Sequence, residues 1–267
     1  MATCVLPGGS TLNYRIDFAG AEAPWVVFGN SLMTDLTIWD DQVAALAGRF
    51  NMLRYDQRGH GASALPPSTL NFEQLGQDLL AVIDAAAVTR CSYVGLSMGV
   101  PTGLAGYAAR PHAFARLVLV DGQARSAASG QAFWDERIAF AREQGMGPLA
   151  EQTVRRWLRP SRHGLPMADR LGAMIAATPS AGFIACAGVL RSYDLSAVLD
   201  RIDVPVRLVA GAEDGIMPAT MAAMKDAIAG ATFATIEDAG HIPNFERPEA
   251  FNVILEQALL AEPEDRP

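Results

Sequence analysis

The hydrophobic positions of the first 122 residues follow two kinds of pattern. Leu12, Tyr14 and Ile16 alternate with polar residues, which predicts a strand with one buried face. Short, largely apolar runs, which are typical of parallel strands buried on both faces, lie at residues 25–28, 51–55, 90–94 and 117–120. Between these runs, apolar residues recur at helical spacing, and this predicts helices at residues 38–50 and 72–87.

The alternation of strands and helices stops after residue 122. Residues 123–199 show no convincing strand pattern and contain helix-like segments that are separated by prolines. Strand patterns return at 204–210 and 231–236, and the last predicted helix covers 251–260. The sequence therefore predicts an α/β fold with a mostly parallel twisted sheet flanked by helices. Residues 1–122 and 200–267 would form the core, and residues 123–199 a helical cap over the carboxyl ends of the strands.

The composition of the chain argues against several classes of binding partner. The formal net charge of −8 argues against binding to nucleic acid or to an anionic membrane surface. No apolar run reaches the length of a membrane span, and the N-terminus lacks the basic and apolar regions of a signal peptide. Cys4, Cys91 and Cys186 are far apart, which favours a reducing compartment over a disulfide framework or a metal site. We therefore expect a cytoplasmic protein that takes a small-molecule substrate, with homo-oligomer formation left open.

Residues 95–99 read Gly-Leu-Ser-Met-Gly, between a strand pattern and a run of small residues compatible with a helix. A strand that enters a helix through so tight a turn strains the backbone of the central residue, and the flanking glycines permit close approach of neighbouring elements. Ser97 would then be presented at the end of the sheet and at a helix N-terminus. The motif predicts that Ser97 is a nucleophile.

Two partners for Ser97 follow later strand patterns. Asp214 comes after the run at 204–210, and His241 comes after the run at 231–236. The order Ser, Asp, His is that of hydrolases with a nucleophile elbow. His241 would accept the serine proton and return it to the leaving group, while Asp214 would fix the imidazole tautomer.

Two other acids compete with Asp214. Asp121 also follows a strand pattern and could reach a histidine, and Glu213 is the immediate neighbour of Asp214. Among the remaining histidines, His60 lies in a turn and is interpreted as a residue that ties its own loop by hydrogen bonds. An acyl-transfer reaction also needs backbone N–H donors for the developing oxyanion. Met98, directly after Ser97, and Leu32, in the loop after residues 25–28, are the candidates.

With these motifs in place, the chain resembles the α/β-hydrolase superfamily over nearly its whole length. The motifs that carry the resemblance are residues 29–32 (GNSL), 55–63 (YDQRGHGAS), 95–99 (GLSMG), 211–214 (GAED) with Pro218, and Gly240-His241. A narrower resemblance, to 3-oxoadipate enol-lactonases, is carried by residues 30–39 (NSLMTDLTIW) and by cap residues 134–138, 156–157 and 182–186. It implies opening of a five-membered enol-lactone that bears a free carboxylate. Ser97 would attack the ring carbonyl, and water activated by His241 would release the acid.

The chain departs from that narrower family at two places. Val100 stands where such enzymes usually carry a third glycine, and Asp121-Gly122-Gln123 stands where Asn-Thr is expected. Asp121 could therefore add negative charge to the pocket, which favours a related and less charged lactone or ester as an alternative substrate.

Apolar residues beside the expected site should wall a pocket. Those predicted to bind substrate are Trp134, Ile216, Met217 and Ile242. Arg137 and Arg191 in the cap are candidate partners for a substrate carboxylate. The leading interpretation is a cofactor-free and metal-free serine hydrolase for a small lactone or ester. The alternatives are a carbon–carbon bond hydrolase or carboxylesterase of aromatic catabolism and a non-catalytic receptor on the same scaffold.

Overall fold

The computed structural model describes residues 2–65 and 70–261. Its strands are β1 (Ala2–Val5), β2 (Thr11–Asp17), β3 (Trp25–Gly29), β4 (Asn51–Tyr55), β5 (Cys91–Leu96), β6 (Phe114–Val120), β7 (Val206–Gly211) and β8 (Thr232–Ile236). Its α-helices are α1 (Asp40–Leu46), α2 (Phe72–Ala85), α3 (Gly99–Ala109), α4 (Gly130–Gln144), α5 (Met146–Trp157), α6 (Pro166–Ala176), α7 (Ser180–Leu190), α8 (Met217–Asp226), α9 (Pro243–Glu246) and α10 (Pro248–Leu260). Short 3₁₀ helices lie at Leu36–Trp39, Pro111–Ala113, Pro160–Arg162 and Ser196–Arg201.

The eight strands form one sheet in the order β1-β2-β4-β3-β5-β6-β7-β8. β1 pairs with β2 and β2 pairs with β4 in antiparallel fashion, whereas the remaining neighbours are parallel. Successive residues of a strand point to opposite faces, so Val26 and Phe28 join one hydrophobic cluster while Val27 joins the other. This confirms the predicted mostly parallel sheet flanked by helices.

Four helices, α4 to α7, lie between β6 and β7, and we call them the helical insertion. They fall within the segment predicted as a cap, and an isolated antiparallel bridge between Arg125 and Asp194 joins the two ends of this segment. Gly182 of α7 packs so closely on the loop after β4 that a Cβ atom would overlap the carbonyl oxygen of Gly59. The division of the chain into core and cap stays a prediction.

The structure differs from the predicted elements in a few places. β1 and α8 were not predicted. The helix predicted at 38–50 is wrong in its bounds, because a 3₁₀ helix precedes α1 and Gly48, at φ +75°, turns the chain soon after α1 ends. α10 begins three residues earlier than predicted, at Pro248, since proline is well tolerated in the first turn of a helix.

Among the described helices, none is long and apolar enough to cross a membrane alone. α6 and α7 together meet the length and composition criteria, but they are bent by 92° at the break between them.

Candidate active site

Ser97 occupies the turn between β5 and α3. Its φ of +52° lies in the left-handed region that non-glycine residues rarely adopt, and its backbone N–H donates to the carbonyl of Val120 over 2.7 Å. The flanking glycines make the turn possible, because a Cβ on Gly95 would lie 2.6 Å from the Gly99 oxygen and one on Gly99 would lie 2.5 Å from the Gly29 oxygen. The local structure is the strained strand–turn–helix that the motif predicts.

A chain of two hydrogen bonds joins Ser97, His241 and Asp214. His241 Nε2 lies 2.9 Å from Ser97 Oγ, and His241 Nδ1 lies 2.7 Å from Asp214 Oδ2. With a proton on Nδ1, the ring donates to Asp214 and its free Nε2 accepts from the serine hydroxyl. Both nitrogens of the imidazole are therefore engaged, and the serine is the donor that can give up its proton.

The two acids that compete with Asp214 have other partners. Glu213 forms an ion pair with Arg159, with Oε2 and Nε 2.7 Å apart. Asp121 follows β6 and is fully buried. Both of its carboxylate oxygens lie within 3.2 Å of the Gly211 backbone nitrogen. The structure therefore brings Asp214, of the three acids, into hydrogen bonding with His241.

The loop that carries His241 is held from two sides. The His241 N–H donates to the carbonyl of Trp157, at the end of α5, over 2.9 Å. The buried carboxylate of Glu246 accepts from the N–H groups of Gly240 and Arg159, at 2.7 and 2.9 Å. The indole of Trp157 also packs on the imidazole, with ring centroids 5.2 Å apart. The last turn of α5 therefore helps to hold His241 in position.

The charges around Asp214 keep it ionised. Burial alone would raise its pKa, but the charge and hydrogen bond of His241 and the charge of Arg156 hold the pKa below its ordinary value. Asp121 shows the opposite behaviour. Its burial and the adjacent charge of Asp214 raise the pKa of Asp121 well above the usual range, against the effect of the Gly211 N–H.

The predicted oxyanion donors lie beside Ser97 in the same cavity. Within residues 2–65 and 70–261, the backbone N–H groups of Leu32 and Met98 have no protein acceptor, whereas the N–H of Met33 donates to Nε2 of His60. The Gln57 amide contacts both the Ser31 carbonyl, at 3.3 Å, and the Met98 sulfur, at 3.7 Å. Gln57 thus joins the loop of Leu32 to the turn of Ser97.

A cavity of about 530 Å³ opens over Ser97, His241 and Asp214. Its wall includes apolar and aromatic side chains from the insertion, from the segment directly after it, and from the loop and the helix start after β7, namely Phe133, Trp134, Trp157, Leu190, Tyr193, Ile216 and Met217. Three of the four predicted substrate-binding residues, Trp134, Ile216 and Met217, therefore line it. Ile242 does not line the cavity; it is fully buried in the hydrophobic core, because the chain turns inward after His241 to begin α9.

The two arginines predicted to face the substrate lie elsewhere. Arg137 is buried and donates to the hydroxyl of Thr153 over 2.5 Å, and Arg191 pairs with Asp135, with Nε and Oδ1 2.8 Å apart. The arginine that lines the cavity is Arg156, which the sequence analysis missed. The available signal was its place in residues 156–157, one of the segments that carry the enol-lactonase resemblance.

Arg156 reaches the cavity without a carboxylate of its own. Its guanidinium lies over the ring of Phe133, 4.7 Å from the centroid. In the part of the chain that the structure describes, Arg156 forms no ion pair. Partial removal of Arg156 from water lowers its pKa and the charge of Asp214 acts against this, although the side chain keeps an exposed surface. The charge of Arg156 also adds to burial in lowering the pKa of Arg137. The edge of the cavity therefore carries a cation without an ion-pair partner among the described residues.

Asp121, Asp214 and His241 also bring ligand-type atoms within 4.8 Å of one another. His241 can supply a metal ligand only by giving up one of its two hydrogen bonds, and Asp121 already receives the Gly211 N–H. Hydrogen bonding accounts for this cluster as it stands.

Comparison with known proteins identifies the family of this chain. The pattern of the alpha/beta hydrolase family matches residues 21–253. The chain belongs to the alpha/beta hydrolase family. This membership confirms the predicted fold class and identifies the chain as a hydrolase.

Among its relatives in this family, 3-oxoadipate enol-lactonase 2 of Acinetobacter baylyi is 34% identical over 93% of this chain and 92% of its own length. The crystal structure of an enol-lactonase from Burkholderia xenovorans is 34% identical with a TM-score of 0.92, covering 97% of this chain and 100% of that one. A hydrolase from Pseudomonas aeruginosa is 35% identical with a TM-score of 0.91, covering 97% and 98%. The predicted resemblance to enol-lactonases is thereby confirmed.

Proposed function

We propose that this alpha/beta hydrolase opens a small lactone, or cleaves a related ester, through an acyl-enzyme on Ser97. The observation that carries the proposal is the hydrogen-bonded chain from Ser97 through His241 to Asp214 beneath a cavity that is partly lined by the insertion. The names of the enol-lactonase relatives support a lactone as the substrate. The free, buried cysteines are in keeping with a cytoplasmic enzyme.

The proposed reaction has two halves. His241 Nε2 takes the Ser97 proton as Oγ attacks the lactone carbonyl, and the N–H groups of Leu32 and Met98 stabilise the oxyanion. The ring C–O bond breaks, and the expelled enolate takes the proton and becomes a ketone. Water, deprotonated by His241, then attacks the acyl-enzyme and releases Ser97 with a new carboxylate. Asp214 stabilises the imidazolium in both halves.

Arg156 supports a substrate that carries a free carboxylate. A guanidinium binds a carboxylate through two parallel hydrogen bonds, and this one lines the cavity above the proposed nucleophile. The aromatic wall would contact the carbon skeleton. We therefore propose 3-oxoadipate enol-lactone or a similar anionic lactone of aromatic catabolism as the substrate.

The test compares steady-state hydrolysis of 3-oxoadipate enol-lactone with that of p-nitrophenyl acetate and butyrate. We expect kcat/KM for the lactone to exceed that for the esters by orders of magnitude, and Ser97→Ala to abolish both activities. Ser192→Ala, at an exposed position, serves as the matched control. Serine-dependent cleavage of the esters alone would assign a carboxylesterase instead. If neither substrate class is turned over by the folded protein, the proposal is wrong and vinylogous diketones test the carbon–carbon alternative.

A further inference from the structure

Asp121 is a buried acid beside Asp214 and His241 that the proposed reaction does not use. Asp121 is fully buried at the end of β6, and its φ of +41° is rare for a residue other than glycine. Its backbone N–H donates to the Val209 carbonyl, at 2.9 Å, and its side chain receives the N–H of Gly211. The end of β7 therefore holds both the backbone and the side chain of Asp121.

A carboxyl oxygen of Asp121 lies within 4.8 Å of one of Asp214, and the Asp121 side chain is fully buried. Two ionised carboxylates at this distance repel each other and cannot hydrogen-bond directly, because neither has a hydrogen to donate. Burial and the like charge therefore favour a single proton on the pair.

The surroundings of the pair decide which acid is protonated. Asp214 receives the Nδ1–H of His241 at 2.7 Å, and the charge of Arg156 also stabilises its ionised form. Among the described residues, Asp121 receives the backbone N–H of Gly211 alone, and it lies beside the negative charge of Asp214. The nearby carboxylate of Glu213 is paired with a separate arginine, Arg159. The proton therefore belongs on Asp121.

We infer that Asp121 is a positioning residue, a neutral carboxylic acid whose O–H donates to the Asp214 carboxylate and orients it toward His241. The inference rests on the proposed function, since it assigns the acid of the triad to a pair of carboxyl groups that share one proton. In this arrangement Asp121 holds Asp214 without placing a second negative charge beside the imidazole.

Two substitutions separate this role from the alternatives. Asp121→Asn keeps an N–H donor for Asp214 and an acceptor for Gly211, and asparagine tolerates positive φ. Asp121→Ala removes both groups. The readout is the rate at which a fluorophosphonate labels Ser97 as a function of pH, because this measures the serine and its base without a natural substrate.

We expect Asp121→Asn to label at close to the wild-type rate, with the midpoint of the acid limb within about 0.3 pH units of wild type. Asp121→Ala should label about 10- to 100-fold more slowly, which corresponds to a lost hydrogen bond to a charged group. A fall of about one unit or more in the acid-limb midpoint of Asp121→Asn would overturn the inference, because it would mean that the native residue is charged.

A second measurement does not depend on activity. The infrared difference spectrum of wild type minus Asp121→Asn at pH 7 should contain the C=O band of a protonated carboxylic acid. If that band is absent, the inference is wrong whatever the enzyme does. If the band is present in a protein that never labels at Ser97, the proposed function fails while the shared proton stands.

Discussion

The buried imidazole of His60 accepts a hydrogen bond from the backbone N–H of Met33, with 2.9 Å between the two nitrogens. Nδ1 of the same ring donates to the carbonyl of Arg58, at 3.0 Å. The histidine thus ties its own loop, as the sequence predicts, and also holds the loop that presents Leu32. Met33 itself has φ +64°, and its N–H is directed at His60.

This relationship predicts a pH-dependent stability. Burial lowers the pKa of His60 from 6.5 to about 4. Between these values the unfolded chain binds a proton that the folded chain does not, so the unfolding free energy falls as the pH is lowered through this window. Over the whole window the loss from this residue amounts to about 3 kcal/mol.

The variant His60→Gln retains an acceptor for Met33 and cannot titrate. We expect its unfolding free energy, measured by urea denaturation between pH 7 and 4, to fall less steeply than that of the wild type. His112→Gln, at an exposed position, should keep the wild-type slope. Identical slopes for His60→Gln and wild type would contradict the assignment.

The pairing of His241 predicts that two neighbouring acids differ sharply in importance. Asp214→Asn presents an amide to Nδ1 and favours the wrong tautomer, so kcat should fall by about 10³- to 10⁴-fold. Glu213→Gln removes only the partner of Arg159, so kcat should stay within a few-fold of wild type. Steady-state kinetics on one ester substrate measure both, and equal losses would argue against Asp214 as the specific partner.

Arg156 predicts a selective loss of affinity. Arg156→Gln should raise KM for a carboxylate-bearing lactone by about 10- to 100-fold, because a charged hydrogen-bonding partner is lost. Cleavage of neutral p-nitrophenyl acetate should change little. Arg155→Gln changes the exposed neighbour on α5 and is the matched control. A similar loss on both substrates would indicate damage to the insertion instead of a lost anion contact.

Val100 predicts a packing effect. It is fully buried on α3, and a Cβ on Gly122 would lie 2.5 Å from its Cγ2 atom. The two departures from the enol-lactonase pattern are therefore adjacent, with the valine filling space that the glycine leaves. Val100→Ala should lower the unfolding free energy by about 2 kcal/mol, measured by urea denaturation. Val253→Ala, at a position 57% exposed, should have little effect.

The sheet and the turn of Ser97 could be predicted because they depend on local patterns. Residues 51–55 form a strand with the predicted bounds, and Gly95 and Gly99 are required by close backbone contacts. The order of strand ends also predicted which residues would meet. These features follow from chain periodicity and from the geometry of parallel sheets.

The wall of the cavity could not be predicted in the same way. Whether Ile242 or Trp134 faces the substrate depends on how α9 and the insertion pack, which no local pattern specifies. Arg137, Arg156 and Arg191 look alike in sequence, yet one is buried, one lines the cavity and one pairs with Asp135. Tertiary packing decides among them.

The backbone hydrogen bond from His241 to Trp157 joins the loop that carries the proposed base to the last turn of α5. The helices that shape the substrate cavity also supply an anchor for the proposed base. An exchange of this insertion for that of a relative must therefore keep the segment from Trp157 to Arg159 in register with Gly240 and Glu246. A chimaera with its junction inside that segment would disturb the support of His241, so both substrate selectivity and turnover would change.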